Sequence, residues 1–416
     1  MCSVSIKTLL MRILGLFILA FAAVSCSKPP ELKTGTWRGV LEIQGQKLPF
    51  NFRVTKDFSE GFDVYLKNAG EELLLDEITF AGDSVNMVLH VFDAQLRGAI
   101  SENALDGFFS LNYNPTYKVP FKATYGEDFR FRPTDTISAV TDFSGTYQVV
   151  FVNQTDTTQS IGIINQKGNY ATGSFLTTTG DYRYLEGGVF NDTLFLSTFD
   201  GNHAYLFKAV KKDSLLIGDF WSGQTYHQSW TGVKNENASL PDAESLTFLK
   251  PGYEKLDFTF PDLNNKPVSL SDNRFKNKVV ILQLLGTWCP NCMDETKYLS
   301  PWYDNNKSRG VEVLGLAFER KPDFNYAAER VNKMKAKWGV NYDFVIAGID
   351  DKAKASEVLP ALNKISGFPT TIFIGKDGKV KHIHTGFEGP GTGIYHERWK
   401  QRFNEIVNEL LSEEIK

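Results

Sequence analysis

The sequence predicts a multi-domain chain, with an all-β N-terminal region followed by an α/β domain. Three observations carry that reading. From about residue 35 to residue 235 the chain is dense in aromatic and β-branched residues, broken by Gly, Asn and Asp turns, the pattern of short antiparallel strands. Within this stretch a faint internal repeat runs at an offset of about 110 residues. Beyond Tyr253 apolar runs alternate with amphipathic segments, the order of strands and helices in a mixed sheet.

A leader comes first. Lys7 and Arg12 precede the apolar run Ile13–Val24, which is too short to span a bilayer and suits a secretory signal over residues 1–25. Ser25 directly before Cys26 resembles the lipobox of bacterial lipoproteins, although Ala23 stands where Leu is commoner. Met11 opens a signal that is complete by itself. The expectation is export to the cell envelope, facing the periplasm, with a lipid anchor on Cys26.

A polar linker over residues 26–34 leads to the β region, read as units 35–130 and 140–235. The repeat pairs TGTWRGVLEI from Thr34 with SGTYQVVFV from Ser144, GDSVNMVLHVFDAQ from Gly82 with NDTLFLSTFDGN from Asn191, and LDGFFS from Leu105 with IGDFWSG from Ile217. Each unit reads as a small sandwich or barrel, or the two together as one larger β domain. Trp37, Phe92, Phe199 and Trp221 recur in or near these matches and read as core.

A second linker, 236–252, precedes the α/β domain of residues 253–416. KVVILQLLG is a buried strand, MDETKYLSPWYDNN a helix, VEVLGLAF a second buried strand and NYAAERVNKMKAKWG an amphipathic helix. YDFVIAG reads as a strand and TTIFIGKDGKVKHIHTG as a hairpin turning at Asp377 and Gly378. In the terminal helix Trp399, Phe403, Ile406 and Leu410 share one face. A sheet with helices on both faces follows.

Composition excludes some functions. A formal net charge of -4 with no Lys/Arg run offers no field for nucleic acid. Once Cys2 and Cys26 are set aside, the remaining thiols are Cys289 and Cys292 in GTWCPNCMDE. Met293 follows the second cysteine where haem attachment needs His. Structural zinc needs a second ligand pair that is missing, and His382 and His384, alternating with Ile383, are expected to face solvent. No metal or cofactor is expected. A permanent bridge would close too small a loop to stabilise much. Redox exchange remains. The buried strand ends at Leu285 and Pro290 suits a first helical position, so the helix N-terminus favours a thiolate on Cys289 as nucleophile, with Cys292 as resolving thiol.

With those residues in view, TWCPNC after a buried strand resembles the active site of the thioredoxin superfamily. FTFPDLNNKPVSLSD followed by NKVVILQLLGTWCPNCMDE is similar to the membrane-tethered TlpA and ResA type of thiol:disulfide oxidoreductase. The resemblance implies a thioredoxin-like fold for residues 253–416 and a cis-proline at Pro369 in SGFPTTIFIG. It also implies a substrate-binding edge of Trp288, Phe368, Pro369 and Thr370, and a role for Glu295 in tuning the thiols or shuttling protons. Gln283 stands where thioredoxin has a buried Asp. Without the resemblance, Glu295 reads as a solvated helix-surface residue and Gln283 as a core amide.

The implied activity is reduction of disulfides in exported proteins, apocytochrome cysteines among them, through a Cys289/Cys292 cycle fed by an upstream membrane dithiol donor. Two alternatives stand beside it. A peroxidase would need Pro and Thr or Ser ahead of its cysteine, where this chain has Leu282 and Gly286 before Cys289, and Leu285 before Cys292. A binding lipoprotein dominated by its β region would need a recognition site there, and none is legible.

Overall fold

The computed structural model describes residues 31–57, 61–133 and 138–414. The leader and Cys26 lie outside the described residues. Among those described, no helix is long and apolar enough to cross a membrane.

The first β unit is a nine-stranded antiparallel sheet. Its first strand, Gly35–Ile43, pairs with both the second, Gln46–Lys56, and the last, Asn114–Tyr125. Strand Gly35–Ile43 buries alternate residues Trp37, Gly39, Leu41 and Ile43, the period of a half-buried strand. Its edge strands, Glu71–Leu74 and Glu77–Ala81, do not pair with each other among the described residues, so the sheet stays open.

The second unit repeats this strand order and closes. Gly145–Val152 pairs with Thr157–Lys167 and with Tyr226–Lys234, while Tyr170–Thr177 pairs with both Thr157–Lys167 and Leu185–Phe190, completing a ring. Aromatic rings fill the interior: Phe207 stacks on Phe220 at 4.4 Å and on Phe175 at 4.7 Å, with Phe151 and Trp230 alongside. The barrel is a packed core, not a pore. The three matched sequence stretches fall on the first, sixth and eighth strands of each unit.

The open sheet borrows from the barrel. Phe199, fully buried, packs on Phe50 at 4.7 Å and Phe109 at 4.9 Å of the first unit. Asn68 brackets the Phe199 backbone, donating to its carbonyl at 2.9 Å and accepting its N–H at 3.2 Å. Trp37 and Phe92 are core as expected, whereas Trp221 is only partly buried.

The C-terminal domain is thioredoxin-like. Its five-stranded sheet runs Asp343–Ile349, Val311–Glu319, Val279–Leu285, Thr370–Ile374, Val380–Thr385, with the first three parallel and the last two antiparallel. Every residue of the central strand Val279–Leu285 is buried, as a strand covered on both faces must be. Helices Pro290–Asn306, Phe324–Trp338 and Ile394–Ser412 match the predicted segments, and the last buries Trp399, Phe403, Ile406 and Leu410. A short helix, Lys352–Glu357, and a small hairpin at Thr259–Ser269 were not foreseen.

One expectation is corrected. His382 and His384 do not face open solvent: their side chains are 22% and 18% exposed. The segment 236–252 folds back along the edge strand instead of spanning free space, so Glu244 bonds His382 at 3.0 Å and Thr247 bonds Thr385 at 3.0 Å. His384 turns toward Glu388 and Trp399.

Candidate active site

The buried strand Val279–Leu285 delivers the chain into a loop, Gly286–Trp288, and then into helix Pro290–Asn306. Cys289 caps that helix: its backbone is extended (φ -99, ψ 110) and its sulfur accepts the Cys292 N–H at 3.2 Å. Pro290 has no N–H to lose at the first helical position. Both cysteines are free thiols. Cys289 is 7% exposed and sits 3.7 Å from the carbonyl oxygen of Phe368, whereas Cys292, one turn deeper, has no exposed surface. Burial, and then the neighbouring Cys289, push the Cys292 thiol well above its ordinary range.

Behind Cys292 lies a sealed polar chain. Glu295 is fully buried, accepting from Gln283 Nε2 at 2.8 Å and from Thr371 Oγ1 at 2.5 Å. Burial raises its carboxyl to about 7 against the pull of those two bonds. The Gln283 oxygen is held by Tyr342 at 2.9 Å and Thr296 at 3.2 Å, and its amide nitrogen also reaches the Cys292 carbonyl at 3.4 Å. Glu295 is therefore no surface residue, and Gln283 is both a satisfied core amide and its hydrogen-bond partner.

A second buried carboxylate supports the loop. Glu319, at the end of strand Val311–Glu319, accepts from the Thr287 N–H and hydroxyl, each at 2.8 Å. Burial raises it too to about 7, against those bonds. Beside it Trp288 donates to the Phe318 carbonyl at 2.8 Å and meets the Phe368 ring edge-on at 5.8 Å. The Phe368–Pro369 peptide bond is cis.

The other wall of the site comes from the barrel. Arg183 is buried among Glu71 of the first unit, Asp200 of the second and Asp294 of the cysteine-bearing, or redox, helix Pro290–Asn306. It also donates to the Pro290 carbonyl at 3.0 Å. Burial works against the guanidinium, but Asp294, Glu71 and Asp200 outweigh it and hold it well above its ordinary range. Burial would also raise Asp200, yet His203, 3.1 Å away, and Arg183 keep it at about 2. Asp181 accepts from the Gly389 N–H at 2.6 Å, and burial pushes it up to about 7. Between barrel and redox helix lies a cleft of about 270 Å³ in which Thr179, His203 and Tyr205 face Cys289, Trp288 and Phe368.

Of the residues named from sequence, Cys289, Trp288 and Phe368 meet on this cleft, and Cys292 and Glu295 line up behind it. Thr370 is fully buried and its hydroxyl donates to the Gly367 carbonyl at 2.8 Å. Arg183, Asp181, His203 and Glu319 were missed. Glu319 left a trace, a carboxylate closing an apolar strand; Arg183 left none, since Glu71, Pro290 and Asp294 lie more than a hundred residues away and Asp200 lies 17 residues on, beyond any local pattern.

The redoxin family model matches residues 250–396. Thiol-disulfide oxidoreductase ResA of Bacillus subtilis (strain 168) is 32% identical over 150 residues, which cover 36% of this chain and 74% of that protein. ResA of Geobacillus thermodenitrificans is 34% identical over 140 residues, covering 34% and 72%. A solved thioredoxin-family thiol:disulfide interchange protein from Chlorobium tepidum aligns with 38% of this chain and 96% of its own, at 22% identity and a TM-score of 0.30.

Proposed function

Because the chain belongs to the ResA-type thiol-disulfide oxidoreductases, we propose that it reduces disulfides of exported proteins through a dithiol–disulfide cycle at Cys289 and Cys292. Cys289, as thiolate, attacks one sulfur of the substrate disulfide; that S–S bond breaks and the leaving sulfur takes up a proton. Cys292 then gives up its proton and attacks the Cys289 sulfur, which releases the second substrate thiol and leaves a Cys289–Cys292 disulfide. Two electrons and two protons have passed to the substrate, and an upstream membrane dithiol donor restores the pair. Glu295, buried one helical turn beyond Cys292, is the acceptor for the proton that Cys292 gives up, a task suited to a carboxyl raised to about 7.

The observation that carries this reading is the inequality of the two sulfurs. One opens on a cleft at a helix head, and the other lies buried behind it with its N–H on the first. The leader and Cys26 support export and lipid anchoring at the periplasm-facing envelope, and apocytochrome cysteines are among the substrates the family resemblance suggests. In the test, Cys289→Ser abolishes dithiol-dependent disulfide reduction, while Cys292→Ser accumulates a mixed disulfide with substrate, detected by mass and released by reductant. Undiminished reduction by Cys289→Ser would overturn the assignment.

A further inference from the structure

The turn Thr177–Gly180 of the barrel lies against the cis-proline segment itself. A Cβ on Gly367 would come within 2.9 Å of the Thr179 side chain, and one on Gly386 within 2.9 Å of the Thr179 backbone. Gly386 also donates to the Pro369 carbonyl at 2.8 Å, so the turn sits directly over the strand edge beside Pro369. Contacts this close leave no room for another backbone between turn and edge. Asn291 of the redox helix closes the seam by donating to the Asp181 carbonyl at 3.1 Å. On the far side His203, fixed by Asp200, stacks on Tyr205 at 4.5 Å. Among the described residues, Cys289 opens on what remains, the cleft of about 270 Å³.

That space is slightly below the roughly 300–1,000 Å³ of sites for drug-sized ligands. A folded partner, by contrast, needs about 800 Å² of matching surface on each side, and a cysteine that is 7% exposed beneath a rim offers no such face. We propose that the barrel rim, through Thr179, His203 and Tyr205, is a roof that sets substrate choice: it admits a disulfide carried on a slender, unfolded chain and excludes one embedded in a folded surface. The proposal rests on the exchange reading above and adds the class of substrate. It gives the β region a role at the reacting sulfur, as a specificity element.

The test uses one leaving group on three carriers. Thionitrobenzoate is joined as a mixed disulfide to glutathione, to a cysteine-bearing hexapeptide, and to the surface cysteine of a small folded protein. Its coloured release by the reduced full chain gives kcat/KM for each. Both slender carriers react, and the folded carrier is slower by on the order of tenfold or more. A preference for the hexapeptide identifies a polypeptide as the source of the disulfide; a preference for glutathione identifies a low-molecular-weight thiol. Tyr205→Ala raises the folded-to-hexapeptide ratio several-fold, and His203→Ala, at a rim position, does the same should the first variant melt early. Equal rates for all three carriers in the wild-type chain overturn the roof and leave exchange intact. Failure to react with any carrier overturns exchange itself.

Discussion

The two β units share one strand order, yet they meet the redox domain in opposite ways. The open first unit braces the helix Phe324–Trp338, away from the cysteines, through discrete polar contacts. Tyr326 and Arg330 reach Asp93 at 3.1 and 3.3 Å, and Lys337 reaches Asp76 at 2.6 Å and the Leu74 carbonyl at 2.8 Å. The closed second unit puts its rim on the cysteines and joins the redox helix through a buried charge cluster, to which the first unit adds only Glu71. A closed ring has no free edge and holds its rim residues to one another, which suits it to lining a site. The open sheet completes its core with a borrowed Phe199 and suits the role of a brace.

Breaking the cluster tests the difference most severely. Arg183→Ala leaves Asp294, Asp200 and Glu71 buried without their cation, and removing one partner of such a group costs about 3–5 kcal/mol. Chemical denaturation reads that loss, and a faster reaction of Cys289 with folded carriers accompanies it. An intact melt would mean that the seam is held by packing alone.

The pH dependence of the site comes next. Burial raises Glu295 from its ordinary 4.5 to about 7, so its contribution to stability is complete below pH 4.5 and is lost as pH rises through 7. At about 1.4 kcal/mol per pH unit the loss approaches about 3 kcal/mol. Glu319 and Asp181, also raised to about 7, add declines of the same sign, so Glu295→Gln makes the fall in denaturant midpoint between pH 5 and pH 8 shallower without abolishing it, and slows release of the second substrate thiol. A wild-type midpoint that rises over that interval would contradict the assignment. Smallest is the brace: Lys337→Met loses one part-buried ion pair, about 1 kcal/mol, without altering the carrier preference at Cys289.

Some of this was legible in the sequence because it is local. The spacing of Cys289 and Cys292, Pro290 at the helix start and the apolar run before them place the thiols at a strand-to-helix turn without knowledge of the rest. Glu295 was legible as a position one turn past Cys292, on the same face. That this face is sealed was not, because it depends on Gln283 and Thr371 arriving from two strands of the sheet. His382 misled for a similar reason: strand alternation gives the face a side chain takes, while segment 236–252 decides what covers it.

Reading along the chain is enough for the classes of structure and the placing of the cysteine pair: two β units of matching strand pattern, a thioredoxin-like domain, and two cysteines at a helix head. Periodicities of two and 3.6 residues and the geometry of a helix cap act over a few neighbours, so they survive reading along the chain. The tertiary structure alone decided that the second unit closes, that the first stays open around Phe199, and that Arg183 joins three carboxylates beside Cys289. Pairing a buried charge is settled by which surfaces dock and how much water they exclude, and no stretch of a dozen residues carries that information.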